Sequence, residues 1–371
     1  MESTIGGTRR HIVDVARGQL ESGLDVHLCV STLRDPGFPP DLIDLEQRGC
    51  EVTRLDMTRA IRPGKDARHL LELARTLERT RPDVVHTHSS KAGVLGRLAS
   101  GMTGVGARVH TPHTFAFLFE AMFGSLKRDL FRRIERHLCG DTRAVVAVSP
   151  SEGHTFHSSG VVDLERIRVV ENGIVPDPFV TAAPVNTSEL GVPMGAPCAA
   201  VVGLLNAAKG QDIALRALAQ PGCEDLHLLI AGDGEEREDD ERLAQELGVA
   251  DRAHFLGYRN DVPALLASVD FLLLPSRWEG MPYIVLEAMA AGLPVVATPV
   301  DGACDLVEDG LTGFLASAAH PERIAVAIEQ LLGFDASERA GFGERARARL
   351  FDRYTRDRMI ERMIEVYEEV R

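Results

Sequence analysis

PSRWEGMPYIVLEAMAAGLPVVAT, residues 275–298, holds two carboxylates eight positions apart, Glu279 and Glu287, on either side of Pro282. The apolar run FLLLPS (271–276) reads as a strand that ends at Pro275. A helix then begins near Pro282, a residue suited to the first helical turn. In that reading the backbone N–H groups of Met281, Tyr283 and Ile284 face outward beyond the strand end. Such a helix N-terminus favours a phosphate. Glu287, about one turn further in, is placed to accept hydrogen bonds from a ribose diol. Glu279 is placed to reach sugar hydroxyls. On spacing alone, a capped helix with two solvated glutamates fits equally well.

The same alternation of short strand and amphipathic helix extends outward in both directions. DVHLCV (25–30), PDVVHTH (82–88) and RAVVAVS (143–149) read as strands. RRHIVDVARGQLESG and HLLELARTLERTR (69–81) read as helices, the second with Leu70, Leu73, Ala74 and Leu77 on one face. A second series runs through PCAAVVGLL (197–205), LHLLIAGDG (226–234), AHFLGY (253–258), FLLLPS and PVVAT (294–298). Between the two lies a proline-rich, aperiodic connection, 175–197. The expectation is an α/β chain of two doubly wound domains: 1–180, then 181–350, then a charged helix at 351–371 that returns to the first domain. Ligands of such sheets bind beyond the carboxyl ends of the strands.

Composition bounds the function. The 371 residues exceed one ordinary core. Residues 1–180 carry 24 basic and 23 acidic side chains, and the remainder 17 and 32. That acidic second half argues against a nucleic-acid partner. Six scattered cysteines without a CxxC give neither a zinc ribbon nor a disulfide framework. No leader-like apolar segment and no run of about 18 apolar residues is present, which gives a cytoplasmic expectation.

EGMPYIVLEAMAAGLPVVAT resembles the Glu-x7-Glu motif of retaining glycosyltransferase family 4, which has the GT-B fold. IAGDGEE (230–236), HFLGYRNDVPALLASVDFLLLPS (254–276) and DGACDLVEDGLTGFL (301–315) resemble the rest of that family's nucleotide-sugar domain in order and spacing. VVENGI (169–174) resembles its interdomain segment. GGTRRHIVDVARGQ, PDVVHTHSSKAGVLGRLAS and HTPHTF resemble its acceptor-side domain. The resemblance implies two Rossmann-like domains facing a cleft and retention at the anomeric carbon.

It also implies roles. Glu279 binds the donor sugar and Glu287 the ribose. The backbone at Gly280, Met281, Pro282 and Tyr283 surrounds the donor phosphates. Lys209 in GLLNAAKGQD pairs with the diphosphate and stabilises the leaving group. Tyr258 lies where the base is held, and Asn172 lies in the interdomain segment. His113 stands near the reacting centre as a third catalytic residue. Gly6 and Gly7 form a first turn whose backbone approaches the diphosphate. Arg9, His88, Lys91 and His113 belong to the acceptor side. One position departs from the pattern: Leu204 stands where the family has a basic residue, so Arg9 or Arg10 is a candidate substitute. No Asp-x-Asp ends a strand, so no metal and no cofactor is expected, the nucleotide-sugar being a substrate. His86 and His88 are expected to place their rings on opposite sides, a poor metal pair.

SLKRDLFRRIERHLC (125–139) has helical period. Leu126, Leu130, Ile134 and Leu138 form a stripe, and five basic residues accompany it. With FAFLFEAMF (115–123) before it, this helix is a candidate peripheral membrane contact for a polyprenyl-linked acceptor. The resemblance extends to bacterial exopolysaccharide and capsule enzymes, with a UDP-sugar favoured. The alternatives are transfer to a soluble small molecule and a non-catalytic nucleotide-sugar binder. The chain also opens on the Gly6-Gly7 turn with no strand before it. The expectation is a first sheet that lacks its central strand, leaving an open slot.

Overall fold

A computed structural model describes residues 6–371 apart from Arg34, Pro36, Arg59, 120–122 and Ala319. The chain forms two units. One comprises residues 1–172 with 356–371, and the other 173–355. The boundary falls at Asn172 rather than at 180. The short helix Asp177–Val180 packs on the second unit, which draws 173–180 into it.

The first unit runs α1 (Gly7–Glu21), β1 (His27–Val30), α2 (Phe38–Gln47), β2 (Glu51–Arg54), α3 (Pro63–Thr80), β3 (Val84–His88), α4 (Ser90–Thr103) and β4 (Ala107–Thr111). It continues with α5 (Ser125–Gly140), β5 (Ala144–Ala147), α6 (Pro150–Ser158) and β6 (Ile167–Val169), and closes with a terminal helix, Arg356–Val370. All strand pairs are parallel, but they form two sheets, β1-β2 and β3-β4-β5-β6. Among the described residues no strand joins β1 to β3.

Helix α1 serves both sheets. Val13 packs with Val30, Phe38 and Leu42, while Val15 packs with Val109, Val146, Met359 and Met363. The terminal helix therefore belongs to this unit's core. The turn before α1 needs its glycine: Gly6 has φ 98° and ψ −141°, which a side chain would strain, and its carbonyl accepts from Arg10 N at 3.2 Å.

The second unit runs α7 (Asp177–Val180), β7 (Cys198–Val202), α8 (Gln211–Leu218), β8 (His227–Ala231), α9 (Arg237–Glu246), β9 (Ala253–Gly257) and α10 (Val262–Leu266). Then come β10 (Phe271–Leu274), α11 (Tyr283–Ala291), β11 (Val295–Ala297), α12 (Ala303–Leu306), β12 (Gly313–Leu315), α13 (Pro321–Leu332) and α14 (Ala336–Arg353). Its six parallel strands lie in the order β12-β11-β10-β7-β8-β9. The strand order reverses between β7 and β10, so the switch point of this sheet lies at their carboxyl ends. Strands β7, β8, β10 and β11 are buried nearly throughout, as a parallel sheet covered on both faces requires. The strands of three or four residues, β2, β6 and β12, are too short to show a period and were not expected.

Candidate functional site

The second unit's site forms at that switch point. The loop after β7 brings Lys209, and the loop after β10 brings Ser276 and Glu279. Lys209 Nζ donates to both Glu279 oxygens, at 2.7 and 2.9 Å, and Ser276 Oγ donates to Glu279 Oε1 at 2.7 Å. The Glu279 side chain is only 9% exposed and that of Lys209 28%. An anion this enclosed needs its cation. A second clasp holds the two loops together: Arg277 pairs with Asp212 at 2.7 and 2.8 Å and donates to the Ala207 carbonyl at 3.0 Å. Neither Ser276 nor the Arg277–Asp212 pair was singled out in the sequence, because nothing local distinguishes them from surface residues.

Helix α11 begins at Tyr283 with Pro282 as its N-cap, one position from the expected start. It is apolar nearly all round, and Val285, Leu286, Ala288 and Met289 are buried. Glu287 is half-buried one turn in. The segment before the helix is packed against Gly302, where a Cβ would stand 2.4 Å from the Gly280 carbonyl oxygen and 2.5 Å from Met281 Cα. Only glycine allows that approach, which fixes the backbone around Glu279. Leu204 is half-buried, its carbonyl accepting from Gln211 Nε2 at 3.1 Å. Tyr258 follows β9 and is 78% exposed; Arg259 beside it pairs with Asp261 at 2.5 Å.

The first unit gathers a different set at the carboxyl ends of β3 and β4. The ring centroids of His11 and His113 are 4.9 Å apart and those of His88 and His113 5.4 Å, with His88 Nδ1 3.2 Å from His113 Nε2. His11 Nδ1 lies 2.9 Å from Asn172 Oδ1. Burial pushes the His11 pKa down to about 4 and those of His88 and His113 well below the ordinary value, with neighbouring histidines lowering the latter two further. These imidazoles are neutral at pH 7.

The rings of His86 and His88 sit on the same side, centroids 4.2 Å apart, contrary to the expectation that they diverge. Residues two apart on a strand share a face. His86 is fully engaged, with Tyr367 Oη at 2.6 Å and Thr111 Oγ1 at 2.8 Å. Tyr367, on the terminal helix, is a site neighbour that the sequence did not indicate.

The backbone here is strained. His113 and Thr114 have φ of 52° and 72°, and Ser89 has φ 61° with ψ 175°. Consecutive left-handed non-glycine residues persist only where the surroundings impose them. Glu152 does so by accepting from Thr114 N at 2.9 Å and from Val148 N at 2.8 Å. The stretch Ser149-Pro-Ser-Glu152 was a readable helix-start signal for that carboxylate.

The other acceptor-side residues have local partners. Arg9 pairs with Asp35 at 2.9 Å and Asp41 at 3.2 Å, and Arg10 with Asp14 at 3.6 Å. Lys91 donates to the carbonyls of Thr58 and Ala60 at 2.8 and 2.7 Å and pairs with Asp66 at 2.5 Å. Phe115 and Phe117 are core residues stacked at 5.1 Å, so they do not face lipid; residues 120–122 of that run lie outside the described residues. Helix α5 buries Glu135, Leu138 and Cys139, whereas Leu126 and Leu130 are 87% and 55% exposed.

Residues 6–173 match the glycosyl transferase 4-like domain, and residues 185–349 match glycosyl transferases group 1. The chain belongs to these glycosyltransferases. It is 32% identical over 261 residues to an Escherichia coli UDP-Gal:alpha-D-GlcNAc-diphosphoundecaprenol alpha-1,3-galactosyltransferase, covering 68% of this chain and 66% of that one. It is 33% identical over 279 residues to the D-inositol 3-phosphate glycosyltransferase of Mycobacterium tuberculosis, covering 72% and 57%. The chain thus spans about two thirds or less of the length of these curated relatives. Among solved structures, Anabaena HepE in complex with UDP and glucose matches with a TM-score of 0.82 at 23% identity, over 100% of this chain and 98% of that one. A Thermosynechococcus elongatus sucrose-phosphate synthase matches with a TM-score of 0.84 at 21% identity, over 99% and 94%. The fold is GT-B. In this glycosyltransferase the Lys209–Glu279 clasp falls in the group 1 domain, and the histidine cluster falls in the 4-like domain. No helix among the described residues is long and apolar enough to cross a membrane.

Proposed function

We propose that this protein transfers a sugar from a UDP-sugar, with retention, to a polyprenyl-linked glycan in the assembly of a cell-surface polysaccharide. The observation that carries the reading is the Lys209–Glu279–Ser276 clasp at the switch point of the second unit. A cation and a carboxylate, held together where α11 begins, match what a sugar diphosphate presents: hydroxyls beside negative charge. Relatives support the chemistry. One solved neighbour holds UDP and glucose, and one curated relative uses UDP-Gal with a lipid-diphosphate acceptor.

In this reading the bond from the anomeric carbon to the UDP phosphate oxygen breaks, and the acceptor oxygen bonds to the same face. The acceptor proton passes to the departing phosphate. Lys209 and the N-terminus of α11 stabilise the charge that builds on UDP, without a metal. Glu279 orients the donor sugar and Glu287 the ribose. His113 and His88 serve the acceptor side as neutral groups.

The exposed Leu126 and Leu130, with Lys127, Arg128, Arg132 and Arg133 on the same helix, favour a lipid surface over a soluble acceptor. The inositol phosphate relatives supply the second reading. The discriminating experiment offers radiolabelled UDP-galactose and UDP-glucose with either undecaprenyl-diphosphate-GlcNAc or D-inositol 3-phosphate, in the presence of EDTA. Label in the organic phase is the expected result, and label in a water-soluble product selects the soluble acceptor. A protein that neither binds nor hydrolyses any UDP-sugar overturns the transferase reading.

A further inference from the structure

We propose that His11, His88 and His113 form a binding site for a divalent transition-metal ion of the zinc class. One ring nitrogen of each lies within 4.8 Å of those of the other two. His88 Nδ1 and His113 Nε2 are 3.2 Å apart. Two nitrogens at about 2.0–2.1 Å from a tetrahedral zinc span about 3.3–3.4 Å, so this edge is already at its ligand spacing. The third ring has to close by up to roughly 1.5 Å, a side-chain adjustment at one corner.

His11 supplies the independent observation. Its ring is fully buried and its Nε2 has no hydrogen-bond partner. Its Nδ1 is held by Asn172 Oδ1 at 2.9 Å. A carboxamide oxygen only accepts, so the proton sits on Nδ1 and Nε2 presents a bare lone pair. Metal-binding histidines are anchored in this way, with the second nitrogen donating to a fixed oxygen. Left without a partner, a buried acceptor keeps an uncompensated desolvation penalty. A cation among the three rings removes that penalty.

The neighbouring histidines mark the limits of the site. His86 has both nitrogens engaged by Tyr367 and Thr111. His110 lies on the other face of β4, bonded to Thr87 and set against Phe115. Three uncharged imidazoles suit zinc, cobalt, nickel or copper and not magnesium or calcium. His113 is partly exposed, which leaves an entry path and room for water as a fourth ligand. The left-handed backbone at His113 and Thr114, tied down by Glu152, aims that ring into the cluster. A bound ion takes up the lone pairs of His88 and His113 and so competes with any acceptor role they have. The donor reading is untouched, because the readout below is metal binding and not transfer.

The test titrates tag-free, EDTA-stripped full-length protein with Co²⁺ and Zn²⁺. The expected result is one Co²⁺ per chain with the visible absorption of a four-coordinate nitrogen site, displaced by one Zn²⁺. His11→Gln should weaken Zn²⁺ binding at least 100-fold. Asn172→Ala, which leaves all three rings in place, should weaken it about 10- to 100-fold. His86→Gln should leave it within about threefold. The proposal is overturned if the parent protein takes up no stoichiometric Co²⁺, whether or not the variants fold. It is also overturned if the spectrum carries a thiolate charge-transfer band, or if His11→Gln, folded by circular dichroism, binds Zn²⁺ as the parent does.

Discussion

Replacing Lys209 with alanine tests whether the switch-point clasp serves chemistry or only stability. In the protein Glu279 accepts three hydrogen bonds, two of them from Lys209, and its side chain is 9% exposed. Hydrogen bonds to charged groups contribute about 1.5–3 kcal/mol each, and the partial exposure of Lys209 screens part of this. Lys209→Ala should therefore lower the stability of the second unit by about 2 kcal/mol, read as a shifted urea midpoint. Loss of one preorganised donor to a developing oxyanion costs about 2.7–4 kcal/mol, or 10²–10³ in kcat.

The two effects separate in the double variant. Lys209→Ala with Glu279→Gln removes both charges, so the midpoint should recover most of its loss. Turnover, measured as UDP released from the donor, should stay down by at least 100-fold. If the double variant turns over within threefold of the parent, Lys209 is only a counter-ion to Glu279 and its assignment to the leaving group is wrong. The same conclusion follows if Lys209→Ala alone keeps kcat within threefold.

Three further outcomes follow from named residues. Leu126→Glu with Leu130→Glu should reduce flotation with anionic vesicles more than tenfold and leave the melting temperature unchanged, since both side chains are exposed and each Leu is worth about 1.5–3 kcal/mol when buried. Arg97 and Glu135 form a buried pair at 2.6 Å, and Glu135→Ala should destabilise the first unit by about 3–5 kcal/mol in urea, whereas Arg97→Met with Glu135→Leu should be far milder. Asp240 is buried on α9 with its pKa pushed up to about 7 by burial and then by Asp212, Glu236 and Asp239. The folded state holds that proton more tightly than the unfolded chain, so Asp240 costs stability as pH rises from about 4 to about 7. Asp240→Asn should then leave the melting temperature unchanged at pH 4 and raise it at pH 8, by about 1–2 kcal/mol of stability after screening.

Much of this protein was readable along the chain. The alternation of apolar strands and periodic helices placed eight strands and the main helices, and the spacing of Glu279 and Glu287 pointed to a helix start beyond a strand end. These are local properties, because periodicity and helix punctuation act within a few residues. Short elements escaped: β6 has three residues and β2 four half-exposed ones, so neither carries a period. The basic helix α5 was legible as amphipathic, but which part of its stripe is exposed was not. Its inner half follows from the buried Arg97–Glu135 pair and its packing near Phe117.

The sites themselves belong to the tertiary structure. Lys209 and Glu279 are 70 positions apart, and they meet because β7 and β10 are neighbours in a sheet whose order reverses there. His11, His88, His113 and Asn172 come from α1, β3, the loop after β4 and the segment after β6. They converge because parallel pairing sets His88 beside Thr111 and because α1 packs across those strands. Pairing and packing are chosen by the burial of whole faces and by strand register, which no single window of residues contains.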